Sequence, residues 1–221
     1  AIIHAYFVPI KHLLQIIMIE EEKIKSLVPH FGYAVKNLYS WKELEGLLNL
    51  RPFVNNDRFT PAIISPDYDW FYTGWSTDHY TWPVSCIKDT LSKTTVYIRD
   101  CSKASEKINS TCYSLEIILK KNVDCHIYIS LNKDLPNFEK HKDGSHNMIV
   151  VVEGSIRCEI WIEEGHIIEK ELTNGEYAFV PAHVYHRITP ITEKRLSLSF
   201  PIALDEPAGY EEREWLRLDN L

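Results

Sequence analysis

Between residues 124 and 200 the chain is a series of short apolar runs broken by turn residues, and this pattern limits the possible folds more than any other feature. The runs are Asp124–Leu131, Asn147–Glu153, Ser155–Glu163, His166–Leu172, Tyr177–Val180 and Leu196–Phe200, with Gly, Asn, Asp and Pro between them. Short strands at regular spacing with intervening turns predict a sandwich or a closed barrel.

The first half has a different texture. Glu20–Val28 reads as helix. Ser40-Trp41-Lys42-Glu43 has the form of a capping box, and Leu44, Leu47 and Leu48 then mark one face of a short helix ending near Asn49. Residues 61–86 are crowded with aromatics, from Tyr68 and Trp70 to Tyr80 and Trp82, and punctuated by Pro61, Pro66, Gly74 and Pro83, which predicts loop with short strands. Residues 102–122 predict a second amphipathic helix, with Ile108, Cys112, Leu115, Ile118 and Leu119 on one side. The layout expected is a helical and aromatic-loop part over 1–122, a β-barrel core over 123–203 and a tail or helix over 204–221, packed as one compact domain.

The apolar stretch Leu13–Ile19 is too short to span a bilayer and has no signal-peptide flanks, so it reads as a docking helix or strand and no membrane partner is expected. With 45% hydrophobic residues the chain can build an ordinary core, which excludes a disordered protein. A net charge of −7 argues against nucleic acid as the main partner. The five cysteines are odd in number and form no CxxC, which excludes a common zinc motif and suits reduced thiols in a cytoplasmic protein.

Two segments carry chemistry. His141 and Asp143 stand two apart, and on a strand such residues share a face. The second segment runs from Gly175 through an apolar stretch to Pro181 and His186. If the two are neighbours, His186 completes a two-histidine, one-carboxylate set, which leaves three positions open on an octahedral ion and is typical of non-haem Fe(II) oxygenases. In a chain with ten histidines an HxD alone is a weak signal; the second segment adds the specificity.

On these motifs the chain resembles the cupin superfamily, and within it the JmjC-like, Fe(II)- and 2-oxoglutarate-dependent oxygenases. His141–Trp161 is similar to the first family motif, with Asp143 replacing its second histidine. Gly175, Pro181 and His186 are similar to the second, with His183 where glycine is usual. The likeness covers about residues 124–202 and is weak over 38–60. It implies a mainly β fold, a double-stranded β-helix (jelly-roll) barrel with a helical N-terminal part. It implies Fe(II) on His141, Asp143 and His186, 2-oxoglutarate on two of the open positions and O2 at the last. Retention of Asp143 favours hydroxylation or demethylation over halogenation.

The distal carboxylate of 2-oxoglutarate needs a cation. JmjC-like proteins place a lysine where this chain has Ile156, and Arg157 beside it faces the opposite side of a strand. Arg195 is the better anchor, with Ser197 on its face and Tyr128 as a further donor; its alternative is a solvated strand-end charge. Asn147 stands near the position of the glutamate ligand of other cupins and reads as a polar active-site residue. His146, His183 and Tyr185 read as packing or loop residues. The segment Tyr68–Trp82 either lines a groove or packs, and Asp67, Asp69 and Asp78 either meet a basic group or are solvated. The substrate is a protein or a small molecule, and dimers are common in the superfamily. Two other readings stay open: a cupin metalloenzyme that does not use 2-oxoglutarate, such as a dioxygenase or isomerase, and a non-catalytic binding module.

Overall fold

The computed structural model describes residues 21–34, 36–49, 61–64, 70–72, 91–98, 101–135, 137–163 and 165–204. In chain order the described elements are α1 (Glu21–Lys25), β1 (His30–Tyr33), α2 (Trp41–Asn49), β2 (Pro61–Ile64), β3 (Trp70–Tyr72), β4 (Val96–Ile98), α3 (Glu106–Leu119), β5 (His126–Ser130), β6 (His146–Glu153), β7 (Ser155–Glu163), β8 (His166–Thr173), β9 (Glu176–Val180), β10 (Tyr185–Pro190) and β11 (Arg195–Ile202). The six apolar runs are β5, β6, β7, β8, β9 and β11. The stretch Leu13–Ile19, most of the aromatic segment, Cys86 and the 205–221 tail lie outside the described residues.

The helices form where local chemistry caps them. Ser40 accepts the Glu43 backbone N–H at 3.3 Å and donates its hydroxyl to the Glu43 carboxylate at 2.7 Å, the capping arrangement expected for α2. Ser105 caps α3 by accepting the Ile108 N–H at 3.2 Å. Lys120 closes α3 in the left-handed conformation, with its N–H on Glu116.

Two antiparallel sheets face each other. The larger has the order β1-β9-β6-β11-β5-β4-β2-β3, and the smaller has β10-β7-β8. The first half, read as helical with aromatic loop, thus also supplies four strands to the larger sheet. All four hold only three or four residues, too few for a periodic signal.

The larger sheet buries apolar side chains on both faces. One face carries Met148, Val150, Val152, Leu196, Leu198 and Phe200 against Ile24, Leu44, Ile108 and Leu115 of the helices. The other carries Ile149, Val151, Ala178 and Val180 against Ile156, Cys158, Ile160 and Leu172 of the smaller sheet. This double burial explains why β6 reads as an unbroken apolar run rather than an alternating one. Cys101, Cys112, Cys125 and Cys158 are buried thiols outside any disulfide.

Gly154 turns β6 into β7 at φ +76°, and a Cβ there would collide with Thr192 and the Lys194 carbonyl in the β10–β11 connection. The glycine of the first motif is therefore fixed by backbone hand and by close approach together.

On the outer face of the smaller sheet Arg187 holds Glu159 with two bonds, Nε to Oε2 at 2.6 Å and Nη2 to Oε1 at 2.8 Å. These bonds keep the Glu159 carboxyl below its usual range, against the opposing effect of burial. Glu159→Gln is expected to cost a few tenths to about 1 kcal/mol at pH 7. A lowered folded-state value means that this stabilisation is fully present above about pH 4.3, the range of a free glutamate, and is lost as pH falls through the folded-state value. Urea melts check it: the gap between wild type and variant is expected to narrow from pH 7 toward pH 3.

Candidate metal centre

The ligand atoms of His141, Asp143 and His186 lie within 4.8 Å of one another. His186 comes from β10, a strand absent from the sequence reading because its residues, Tyr-His-Arg-Ile-Thr-Pro, show no apolar alternation. Pairing makes it a strand: all six residues register with β7, from Tyr185 opposite Trp161 to Pro190 opposite Ile156.

His141 and Asp143 do not share a regular strand, as their spacing suggested. They sit in the segment leading into β6, with His141 in an isolated bridge to His186. The bridge has both backbone bonds, His141 N–H to His186 O at 3.0 Å and His186 N–H to His141 O at 2.8 Å. Asp143 is pinned by a different contact, its carbonyl accepting the His183 N–H at 2.9 Å. His183 adopts φ +64°, a conformation that favours glycine and matches the glycine usual at this position.

The hydrogen bonds decide which ring nitrogens are free. His141 Nδ1 lies 2.7 Å from the Glu139 carbonyl, and His186 Nδ1 lies 3.1 Å from the Val184 carbonyl. A carbonyl only accepts, so each Nδ1 carries the proton and each Nε2 keeps its lone pair. Both lone pairs face the carboxylate: His141 Nε2 is 3.8 Å from Asp143 Oδ1, and His186 Nε2 is 3.5 Å from Oδ2. Burial and the neighbouring His141 push His186 below the usual imidazole value, which favours the neutral, ligating form.

Asn147 reads from the sequence as a polar active-site residue. Here it donates its amide to Asp143 Oδ2 at 2.7 Å and accepts the Ser199 hydroxyl at 3.2 Å. Both residues are buried. Such support typically changes metal affinity about 10- to 100-fold. Asn147→Ala is expected to weaken metal binding by that factor with an unchanged melting curve, checked by Co(II) titration. Ser199 was missed, although Arg195, Ser197 and Ser199 alternate with Leu196, Leu198 and Phe200 and so mark a polar inner face.

Beside the triad lies a chamber lined by Tyr128, Phe138, Ile149, Ile188, Arg195 and Ser197. Arg195 is 1% exposed, so it is not the solvated strand-end charge of the alternative reading. Its Nε and Nη2 have no hydrogen-bond partner, and its guanidinium carbon lies 5.8 Å from the Tyr128 ring centroid. Burial pushes its pKa down to about 10, so it stays cationic at neutral pH. Arg195 and Ser199 stand four residues apart on one strand face, roughly 13 Å. A cation with no counter-ion among the described residues thus occupies one end of a polar row, and the Asn147–Asp143 pair the other.

Ile156 is fully buried in the inter-sheet core. Arg157 faces outward and pairs with Glu171 at 3.0 Å. His146 accepts the Ala182 N–H at 3.0 Å and stacks on Phe179, a packing role as expected. Tyr185, expected to pack, is 45% exposed. The triad opens outward into a cavity of about 460 Å³ lined by His126, Tyr128, Phe138, Lys140, Ser145 and Asn147, among others.

No family model matches the chain, and no curated protein matches it in sequence. Solved structures do match it in shape. The structure described as YcfD, a ribosomal oxygenase from Escherichia coli, superposes with a TM-score of 0.57 at 14% identity, over 81% of this chain and 49% of that one. The same protein in complex with cobalt and succinic acid gives 0.59 at 12% identity, over 87% and 53%. Its complex with cobalt and 2-oxoglutarate gives 0.57 at 14% identity, over 87% and 54%. The chain spans about half the length of these proteins. The arrangement of its strands and this likeness together give the chain a double-stranded β-helix (jelly-roll) fold.

Proposed function

We propose that the chain is a metal-dependent oxygenase using Fe(II) and 2-oxoglutarate, and that it hydroxylates a side chain of a protein. The observation that carries this reading is Arg195, a buried guanidinium with two unpartnered nitrogens in the chamber beside the triad. Leaving a charge buried and unpaired is costly. A ligand carboxylate reaching this chamber would remove that cost through charge-assisted bonds. The cobalt and 2-oxoglutarate complex of the similar E. coli protein supports the same ligand class.

The residues present fit both groups. His141, Asp143 and His186 would hold the metal, and Arg195, with Ser197 and Tyr128, would hold the distal carboxylate. With O2 as the oxidant, bound Fe(II) and 2-oxoglutarate would supply the chemistry for hydroxylation: one oxygen atom would enter a substrate C–H bond and the other the succinate that 2-oxoglutarate becomes on losing CO2. The chain's own part is positional. The Glu139 and Val184 carbonyls orient the two imidazoles, Asn147 fixes the carboxylate, and Ile149, Ile188 and Phe138 keep the inner chamber apolar around one cation. The wider cavity on the far side of the triad is the place for the substrate.

Ile156 favours a second reading, a cupin metalloenzyme without 2-oxoglutarate, because the usual lysine position is apolar. Calorimetry on Mn(II)-loaded protein separates the two. The proposal expects 2-oxoglutarate to bind and 2-oxobutyrate, which lacks the distal carboxylate, to bind at least about 30-fold more weakly. Equal binding of the two keto acids, or none of either, would favour the second reading.

A further inference from the structure

The outer face of the smaller sheet is ordered in rows across β10, β7 and β8. One row is Tyr185, Trp161 and Ile167; the next is Arg187, Glu159 and Glu169; the third is Thr189, Arg157 and Glu171. In the second and third rows each arginine is paired, Arg187 with Glu159 at 2.6 Å and Arg157 with Glu171 at 3.0 Å. The first row is different. It is apolar, with Tyr185 and Ile167 at 45% and 44% exposure.

Two cations stand over this row. Lys140 Nζ lies 4.4 Å from the Trp161 ring centroid and 5.1 Å from that of Tyr185, and Lys142 Nζ lies 5.4 Å from Tyr185. Neither forms an ion pair with a described residue, in a chain with seven more acidic than basic groups. The order Lys140-His141-Lys142-Asp143 interleaves these lysines with the triad, and Lys140 also lines the outer cavity with Glu139. The row therefore runs continuously into the mouth of the candidate site. Three neighbouring strands make it about 10 Å wide.

We propose that this row is the docking surface for the polypeptide substrate, and that the substrate carries an aspartate or glutamate within a few residues of the side chain that enters the cavity. The inference rests on the oxygenase reading and adds the substrate's chemistry to it. Trp161 and Tyr185 hold the two ammonium groups in place, and each ammonium keeps N–H donors for a partner carboxylate. Ile167 and the ring edges supply apolar contact. Nucleic acid fits less well, because lysines sit over the ring faces that bases would stack on.

The test uses fluorescence anisotropy with three labelled probes of twelve units: a Glu/Gly/Leu peptide, the same peptide with Lys for Glu, and an RNA oligomer. The acidic peptide is expected to bind at low salt, and to bind at least tenfold more weakly to Lys140→Glu/Lys142→Glu and to Trp161→Ala. Unchanged binding in these variants, no binding to wild type, or tighter binding of the RNA or the basic peptide would overturn the proposal. Mn(II) and 2-oxoglutarate binding, measured on the same double variant, keeps the two levels apart. Retained cosubstrate binding with lost peptide binding supports the docking surface. If wild type binds the acidic peptide through these lysines but not 2-oxoglutarate, the oxygenase reading fails and the substrate assignment falls with it.

Discussion

Asp143→Ala is expected to abolish divalent-metal binding and turnover while leaving the fold standing. Two neutral imidazoles without the carboxylate form a poor site for a hard divalent ion. The loss should exceed the roughly 10- to 100-fold that removal of a supporting group costs. The fold survives because the backbone contact of Asp143 remains: the carbonyl still accepts the His183 N–H, and the side chain, 38% exposed, gives up only the bond from Asn147. His141→Ala should behave alike, since its backbone bridge to His186 remains. Stability should change by no more than about 1 kcal/mol in either variant. Mn(II) calorimetry and thermal melts check both halves. Full metal binding by either variant would remove the triad from the account.

Arg195→Met is expected to act in opposite directions on ligand binding and on stability. Truncating one partner of a buried charge pair costs about 2–5 kcal/mol, roughly 30- to 5,000-fold in the Kd for 2-oxoglutarate. Metal affinity should stay within about twofold, because Arg195 takes no part in holding the triad. Without ligand, however, the guanidinium is buried with two unpartnered nitrogens. Replacing it by an apolar chain of similar shape should stabilise the ligand-free protein by about 1–3 kcal/mol. For a chain of this size each kcal/mol is worth roughly 2–4 °C in Tm. Scanning calorimetry with and without 2-oxoglutarate checks both signs. A variant that melts several degrees lower without ligand would mean that Arg195 is a structural residue.

These two residues also show what the sequence revealed. Most strands of the second half were legible because they bury whole faces, so β5, β6, β7, β9 and β11 appear as apolar runs between turn residues, while β8, with only Leu172 buried, was legible from the turns that flank it. Strand β10 was not, because a strand that puts a histidine inside and an arginine outside has no apolar rhythm. Its existence depends on β7, which lies some thirty residues earlier. The three triad residues were legible from motif spacing, yet the reason given for His141 and Asp143 was wrong in detail. A bridge to His186 and a contact from His183 bring them together, rather than the pleat of a shared strand.

Arg195 was legible as a candidate but not as a buried charge. Its burial follows from β11 lying between β5 and β6, with helices behind that sheet and the smaller sheet in front. No local pattern carries that information. The pairing of Asn147 with Asp143 was hidden in the same way, since it depends on how the segment before β6 folds back over its first turn. The lysines at 140 and 142 were in view throughout, but only the register of Tyr185 with Trp161 gives them a surface to stand on.

The most direct test of the central claim is an anaerobic titration of the metal-free protein with Fe(II) and then 2-oxoglutarate, followed by visible absorption. The account predicts a metal-to-ligand charge-transfer band that appears on the second addition, is absent in His141→Ala, and needs far more 2-oxoglutarate in Arg195→Met. Fe(II) binding with no band at any 2-oxoglutarate concentration would contradict it.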